Sequence, residues 1–241
     1  MSDPVCPECG GLGWRRLASD ARPGEPGFGR LVACACNHAE LARQQQVQQR
    51  FAGLPLRLQA RTFENFAVLD EAPPPQGRGS NRAAHAAART FAAEPRGWLL
   101  FSGPPGGGKT HLLAAIAQTV QGAGSSAIFV TAPDLLDLLR AGYDQANFGY
   151  EARLEQFRTV AVLLLDDLGA ESPTPWAAEK LFQLLNHRYN WGLPTVLATN
   201  FPLKVLEPRL RSRLSERGLV QHIPLVVQDF RPQTQSLLTQ A

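Results

Sequence analysis

The sequence predicts an α/β fold in which a parallel sheet is flanked by helices, preceded by a small N-terminal module of a different kind. Three observations lead to this fold class. Short apolar segments alternate with helical segments from about residue 83 onward, which is typical of βαβ units. Residues 160–165 form an unbroken apolar run, as expected of a strand buried on both faces of a parallel sheet. A glycine-rich segment at 103–110 stands between one such strand and a helix.

The predicted elements follow one another at short intervals. A loop over residues 72–82, rich in Pro and Gly, leads into an alanine-rich helix at 83–93. Strands are then predicted at 98–101, 127–130, 160–165, 195–198 and 220–225, and helices at 109–121, 133–140, 150–158 and 175–191. Because the carboxyl ends of such strands meet at one edge of the sheet, ligand-binding residues are expected there.

The segment after the first of these strands matches the phosphate-binding pattern G-x-x-x-x-G-K-[ST], the P-loop. Its glycines allow backbone N–H groups to converge on phosphate oxygens at the positive end of the following helix. Lys109 is expected to reach the β and γ phosphates, and Thr110 to offer its hydroxyl to Mg²⁺. The pattern predicts binding of ATP with Mg²⁺; the flanking strand and helix argue against a Gly/Pro-rich turn with a surface lysine. The predicted nucleotide-binding residues are Gly103, Pro104, Pro105, Gly106, Gly107, Gly108, Lys109 and Thr110.

Two aspartates end the apolar run, as in a Walker B element. The first carboxylate, Asp166, would hold Mg²⁺ and belong to the nucleotide site. Asp167 is then the candidate to polarise the attacking water, a task usually given to glutamate. Asn200 follows the next strand and would project into the same crevice, where it could position water near the γ phosphate. The alternatives are an N-cap or turn for the aspartates and a simple turn at Asn200.

Charge and hydropathy exclude several classes of protein. The 24 basic and 21 acidic residues give a formal net charge of +3, which is too small to indicate nucleic-acid binding by itself. No apolar run is long enough to span a membrane, and the first residues lack the pattern of a secretory signal peptide. We therefore expect a cytoplasmic protein without membrane contact.

All four cysteines lie close to the N-terminus: Cys6, Cys9, Cys34 and Cys36. Residues 1–37 have few large aliphatic side chains and cannot form an ordinary core. A Cys₄ Zn²⁺ site fits this spacing better than disulfides in a cytoplasmic chain, with His38 as a spare ligand. Reduced structural thiols or a redox pair are the alternatives. We predict a zinc-binding, partner-binding module with a connecting helix over residues 1–50 and an ATPase domain over 51–241.

Several motifs in order resemble the AAA+ ATPases, specifically the DnaC/DnaI helicase loaders and the related IstB-type transposition ATPases. The resemblance extends over residues 62–231. Besides the P-loop it rests on TFENF (62–66), LLLDDLGAE (163–171), LFQLLNHRY (181–189), PTVLATN (194–200), PRLRSRL (208–214) and DFR (229–231). It implies the AAA+ form of the parallel sheet. Since ten residues follow Arg231, the helical lid of many AAA+ proteins is expected to be largely absent, with Arg231 a candidate substitute for its sensor 2 arginine.

The resemblance also implies roles for single residues. Asn200 would be the sensor 1 residue, and Arg213 the arginine finger that reaches a neighbouring subunit's nucleotide, so that hydrolysis would depend on assembly of a homo-oligomer. Arg209 is a second candidate for the finger. Without the resemblance, the arginines of 208–214 would be interpreted as a solvated basic turn. Arg140 and Arg153 would lie near single-stranded DNA, although scattered arginines on amphipathic helices usually face solvent.

The resulting interpretation is an ATP-dependent DNA replication protein, a helicase loader. Resemblance to DnaI-type loaders implies that the N-terminal module binds the replicative helicase, while an ATP-bound homo-oligomer binds single-stranded DNA. One alternative is an IstB-like transposition ATPase, which would bind duplex DNA and a transposase. Another is a zinc-dependent DNA-binding regulator whose ATPase acts as a timer. It is suggested by the basic residues near the cysteines: Arg15, Arg16, Arg22 and Arg30.

Overall fold

The computed structural model describes residues 6–9, 14–16, 31–35, 54–68, 78–141 and 148–225. The chain divides into two compact units, Met1–Phe51 and Ala52–Ala241, each with its own architecture. Several predictions lie outside the described residues: the connecting helix after residue 37, Cys36, His38, Arg22, Arg30 and Arg231.

The first unit contains a two-stranded antiparallel sheet. Strand β1, Trp14–Arg16, pairs with β2, Leu31–Ala33, so that Trp14 lies opposite Ala33. Antiparallel pairing brings the start of β1 next to the end of β2. The Cys6–Cys9 turn precedes β1, and Cys34 follows β2. Both therefore lie at the same end of the two-stranded sheet. The sequence did not predict this hairpin, because strands of three residues carry too little alternation to detect.

The second unit confirms the predicted parallel sheet between two layers of helices. Its strands are β3 Trp98–Ser102, β4 Ala127–Thr131, β5 Val162–Asp166, β6 Thr195–Thr199 and β7 Val220–Pro224. They are ordered β4-β5-β6-β3-β7, and every neighbouring pair is parallel. Strands β5 and β6 are buried at all positions, including the polar residues Asp166, Thr195 and Thr199 at their ends.

Seven helices accompany this sheet in the described part of the chain: α1 Leu56–Gln59, α2 Arg78–Ala93, α3 Lys109–Gly122, α4 Ala132–Ala141, α5 Phe148–Thr159, α6 Pro175–Asn190 and α7 Pro208–Leu214. Helices α2 and α3 pack on one face of the sheet, where Ala88, Leu113 and Phe101 share a core. Helices α4 to α7 cover the other face, where Leu139, Leu184 and Leu214 share a second core. None of the helices in these ranges combines the length and apolarity needed to cross a membrane.

Two predicted boundaries differ notably from the structure, and one segment for which a basic turn was the alternative is a helix. Residues 78–82, predicted as loop, belong to α2; Asn81 and Ala84 are fully buried, and this packing outweighs the poor helix propensity of Gly and Ser. Strand β5 begins at Val162 rather than at 160. The segment 208–214 is a helix and not a basic turn: Pro208 occupies its first turn, and the carboxylate of Glu207 caps the N–H of Leu210 at 2.8 Å.

Candidate nucleotide site

The segments that follow β3, β5 and β6 meet at one edge of the sheet. Because β6 lies between β3 and β5, its end is adjacent to both. The N–H of Gly103 donates to the carbonyl of Thr199 at 3.2 Å, and the N–H of Leu168 donates to the carbonyl of Ala198 at 2.9 Å. The structure therefore brings the glycine-rich loop, the paired aspartates and Asn200 together, as the convergence of parallel strands predicts.

Two positions of the loop at 103–110 can be occupied only by glycine. Gly103 has φ 143°, and a Cβ there would lie 2.0 Å from the carbonyl oxygen of Leu225. Gly108 has φ 89°, and a Cβ there would lie 2.7 Å from the ring of Phe66. Both are left-handed backbone conformations that side chains disfavour. The loop thus takes a fixed path from β3 into the N-terminus of α3.

Lys109, the first residue of α3, is buried with 5% of its surface exposed. Its ammonium donates to the carbonyl oxygens of Gly103 at 2.8 Å and Pro104 at 2.7 Å. The charge is held against the loop instead of extending into solvent. A bound phosphate would exchange these neutral acceptors for a charged one, which makes a stronger hydrogen bond.

Asp166 ends β5 and is almost completely buried, with 2% of its surface exposed. Burial raises the pKa of Asp166 to about 6, because the charged form loses its hydration. The value of about 6 is a net result: the charge of Asp167 also raises the pKa, while hydrogen bonds with the Thr110 hydroxyl and the Asp167 N–H at 2.9 Å and the charge of Lys109 lower it. A buried carboxylate beside a hydroxyl is a set of hard oxygen ligands that fits Mg²⁺.

Asp167 is held by its neighbours in a strained conformation. It has φ 52° and is the one non-glycine residue of the described ranges with a positive φ. Such a backbone costs about 1 kcal/mol or more and is often found at functional sites. The Asn200 amide donates to the Asp167 carboxylate at 2.9 Å, and the Thr199 hydroxyl donates to the carbonyl of Leu168 at 2.6 Å. The end of β6 therefore orients the second aspartate.

The buried charge of Asp166 leads to a prediction about stability and pH. The folded-state pKa of about 6 lies above the ordinary value of 3.8, so the folded protein keeps this proton to higher pH than the unfolded chain. The free energy of unfolding should consequently fall as pH rises from about 4 to 6, by up to about 3 kcal/mol from this group. Asp166→Asn removes the charge and is expected to stabilise the nucleotide-free protein above pH 6 but not near pH 4.

Urea unfolding of wild type and Asp166→Asn at pH 4.5 and 7.5, without nucleotide or Mg²⁺, checks this prediction. Asp167→Asn is the matched control, because that side chain is only half-buried. A stabilisation by Asp166→Asn that is equal at both pH values would contradict the proposed burial cost.

The three arginines of α7 differ in how far their charges are already engaged. Arg209 is paired with Glu179 at 2.9 Å and Glu207 at 2.7 Å. Arg213 has no ion pair within the described ranges; its Nε donates to the Asn186 side chain at 3.3 Å. Arg213 is therefore better placed than Arg209 to bind an external anion. Arg211 is exposed and donates to a backbone carbonyl at 3.2 Å.

The two arginines predicted near DNA also have internal contacts. Arg140, at the exposed end of α4, lies 4.8 Å from the ring centre of Trp176 and 3.3 Å from Asp137. Arg153 on α5 donates to the carbonyl of Leu138 at 2.9 Å and so ties α5 to α4. Arg140 faces solvent, whereas Arg153 has a structural contact that accounts for its position.

Three of the four cysteines form a cluster in the first unit. The sulfur atoms of Cys6, Cys9 and Cys34 all lie within 4.8 Å of one another. Those of Cys6 and Cys34 are 3.8 Å apart, too far for a disulfide. Four thiolates bound tetrahedrally to Zn²⁺ at about 2.3 Å would have their sulfurs about 3.8 Å apart. The cluster thus fits three ligands of a zinc site, and Cys36 lies beyond the described residues.

Several residues near the site were missed by the sequence analysis. Phe66 packs against Gly108, with its ring between those of His85 at 5.4 Å and His111 at 5.1 Å. The His111 ring is in turn 2.8 Å from the carbonyl of Thr62. These contacts fix the TFENF segment over the start of α3. The TFENF motif was recognised as part of the resemblance. The sequence does not indicate, however, which residues the ring of Phe66 contacts.

Three features define a P-loop NTPase of the AAA+ class: the strand order, the glycine-rich loop after β3, and the aspartates after β5, which is separated from β3 by β6 alone. Within that class, the chain belongs to the IstB-like ATP-binding protein family, whose family model matches residues 28–211.

Relatives of this chain include an insertion-sequence protein and a helicase loader. It is 36% identical over 102 residues to the insertion sequence IS5376 putative ATP-binding protein of Geobacillus stearothermophilus, covering 42% of this chain and 39% of the relative. It is also 36% identical over 104 residues to the replicative helicase loader DnaI of Bacillus subtilis, covering 43% of this chain and 33% of DnaI. Both matches span less than half of the relative's length.

Among solved structures, the chain is similar to a crystal structure of DnaI. The TM-score is 0.56 at 27% identity, covering 74% of this chain and 94% of that one. The resemblance to the helicase loaders and to IstB-like ATP-binding proteins of insertion sequences is thereby confirmed, and it does not by itself distinguish between them.

Proposed function

We propose that this chain is an ATPase that loads a replicative helicase onto single-stranded DNA as an ATP-bound homo-oligomer. The observation that carries the ATPase part is the meeting of Thr110 with the buried Asp166 beneath the glycine-rich loop. The loader part is supported by a separate N-terminal unit with a cysteine cluster and by the relationship to DnaI.

The residues at the strand ends have different roles in ATP hydrolysis. The loop and Lys109 would bind the phosphates, and Thr110 and Asp166 would hold Mg²⁺, whose charge would neutralise the phosphate oxygens. Asp167 polarises the attacking water while Asn200 keeps its carboxylate in place. Arg213 of a neighbouring subunit completes the site, so that an isolated subunit turns over slowly.

Lys109→Ala is expected to weaken ATP binding by at least about 100-fold, because charge-assisted bonds to the phosphates are lost. Lys204→Ala, a change at an exposed lysine on the same domain, is the matched control and should bind ATP normally. Equilibrium binding of labelled ATP at millimolar Mg²⁺ measures both. If wild type itself shows no affinity under these conditions, the ATPase proposal fails.

Helicase capture tests the loader proposal. Purified chain, ATP and a hexameric replicative helicase are mixed, and co-purification is measured for the full chain and for a variant without residues 1–50. We expect the helicase to be retained by the full chain and lost with the deletion. Binding of labelled ATP by the deletion variant shows whether its ATPase unit is intact. Equal capture by both would remove the N-terminal unit from helicase binding.

The cysteine cluster is proposed to hold Zn²⁺ through Cys6, Cys9, Cys34 and Cys36. Elemental analysis should find about one Zn per chain in the wild type and a strongly reduced content in Cys9→Ser, whose sulfur lies in the cluster. Asp166→Asn, in the other unit, is the control and should keep its zinc. Metal-free protein with four titratable thiols would contradict the site.

A second candidate function is that of a transposition accessory ATPase. It is favoured by the IstB-like family and by the relative encoded in an insertion sequence. Such a protein would bind duplex DNA and a transposase. Recovery of a transposase instead of the helicase in a capture with both proteins present would favour this candidate over the loader.

A further inference from the structure

Two residues of α6 support the side chain of Arg213 on α7. Asn186 and Tyr189 are three positions apart and therefore lie on the same face of their helix. Asn186 accepts a hydrogen bond from Nε of Arg213 at 3.3 Å. The Arg213 guanidinium lies over the Tyr189 ring, 4.3 Å from its centre. The guanidinium is thus fixed from two sides by residues of another helix.

The Tyr189 ring is itself anchored at both ends. Its hydroxyl donates to the carboxylate of Glu216. Its ring also meets Trp98 edge-on at 6.4 Å. Trp98 is 2% exposed and donates from its indole to the carbonyl of Leu193 at 3.1 Å, so it belongs to the core. The surface below Arg213 is consequently continuous with the sheet and cannot easily shift.

This support engages the guanidinium through uncharged partners, and Tyr189 also hydrogen-bonds with the Arg213 side chain. Nε is the nitrogen engaged by Asn186, and neither Nη group of Arg213 is in an ion pair in the portion of the chain that the structure describes. Arg209, on the same helix, instead has its guanidinium paired with two carboxylates. A planar guanidinium that is not already paired with a carboxylate suits binding to phosphate oxygens.

We infer that Asn186 and Tyr189 are positioning residues that aim Arg213 at the nucleotide of a neighbouring subunit. This inference rests on the proposed role of Arg213 as the arginine finger. Ordering a long arginine side chain costs conformational entropy, because many rotamers are lost. Asn186 and Tyr189 order Arg213 in advance, so most of this cost no longer falls on the contact with the neighbouring subunit. The support should therefore affect the rate of the chemical step and leave ATP affinity unchanged.

A double-mutant cycle tests the inference. Tyr189→Leu removes the aromatic face and is expected to lower kcat for DNA-stimulated ATP hydrolysis about tenfold, with KM for ATP unchanged. Tyr189→Phe keeps the ring face and loses the bond to Glu216, and it should stay within about twofold of wild type. In an Arg213→Ala background, Tyr189→Leu should cause no further loss, because it acts only through that arginine.

Melting temperature and labelled-ATP binding show that each variant is folded. If Tyr189→Leu does not fold, Asn186→Ala provides the decision, because it removes the Nε bond and leaves the ring in place. A loss of kcat that is equal with and without Arg213 would overturn the inference, as would unchanged kcat in both support variants. If Arg213→Ala alone leaves the stimulated rate unchanged, the finger assignment fails, and that result is distinct from failure of the support.

Discussion

Arg213→Ala is expected to lower the stimulated rate of ATP hydrolysis about 10³-fold or more, because an arginine supplied by a neighbour stabilises charge in the phosphoryl-transfer transition state. ATP affinity should not change, since Arg213 belongs to α7 and the nucleotide would be bound by the loop before α3 of another subunit. Steady-state hydrolysis with saturating single-stranded DNA, together with labelled-ATP binding, measures both quantities.

Arg211→Ala is the matched control on the same helix. Arg211 is exposed, and its side chain donates to a backbone carbonyl, so its loss should change the rate little. Mixing two inactive variants tests whether the arginine acts between subunits. Arg213→Ala keeps its nucleotide site, and Asp166→Asn keeps its arginine and its phosphate-binding loop. Mixed assemblies should recover part of the activity, and an absence of recovery would contradict action between subunits.

The sequence was sufficient to predict that the candidate site residues with recognisable motifs lie at one edge of the sheet. The loop at 103–110 and the aspartates after β5 lie in fixed patterns, and the convergence of strand ends predicted their meeting with Asn200. It did not predict that Asn200 binds the Asp167 carboxylate or that Asp167 has a left-handed backbone. Such details depend on how three strands are placed side by side, and that placement is not encoded in any single segment.

The supporting residues were harder to predict, because they look like ordinary helix residues. Tyr189 occurs at helical spacing with Leu181 and Leu185, a pattern that predicts the helix and gives no reason to connect Tyr189 with Arg213. Arg188 follows Leu181 and Leu185 at i+7 and i+3, so it falls on the face that packs against the sheet. An arginine on the apolar face of a helix was the one sign in the sequence of a buried guanidinium. Helix propensity does not reveal it, because arginine is a good helix former at any position.

The structure places Arg188 in the core with 0% of its surface exposed. Its guanidinium donates to the carbonyls of Phe157, Arg158 and Val160 at 3.1, 3.1 and 2.9 Å, and to that of Pro194 at 2.6 Å. Nε donates to the hydroxyl of Thr195 at 3.0 Å. Burial lowers the pKa of Arg188 to about 10, so the side chain stays charged at neutral pH.

Arg188 joins the entries of two strands that end in the candidate site. Phe157 and Arg158 belong to the last turn of α5, where a cation is favoured by the helix dipole. Val160 leads into β5, which ends in Asp166, and Pro194 leads into β6, after which Asn200 follows. One side chain thus fixes the starting points of both strands, and through them the relative positions of the two functional residues.

Arg188→Met is expected to destabilise the protein by about 5 kcal/mol, because several buried carbonyls lose their donors at a cost of about 1–3 kcal/mol each. This is comparable with the whole stability of a typical domain, so the variant should be largely unfolded at 25 °C. Methionine has a similar length and fills much of the volume, so the effect would come from the lost hydrogen bonds. Urea unfolding and the yield of folded protein measure it.

Arg217→Met provides the control for this change, since Arg217 is exposed and lies in a turn. Arg188→Lys should be intermediate, because an ammonium keeps the charge at the end of α5 but is too compact to donate to carbonyls of both α5 and the segment before β6, as the wider guanidinium does. A stable Arg188→Met protein would mean that those carbonyls find other donors. In that case Arg188 would not be what sets the alignment of β5 and β6, and the positions of Asp166 and Asn200 would depend on sheet hydrogen bonds alone.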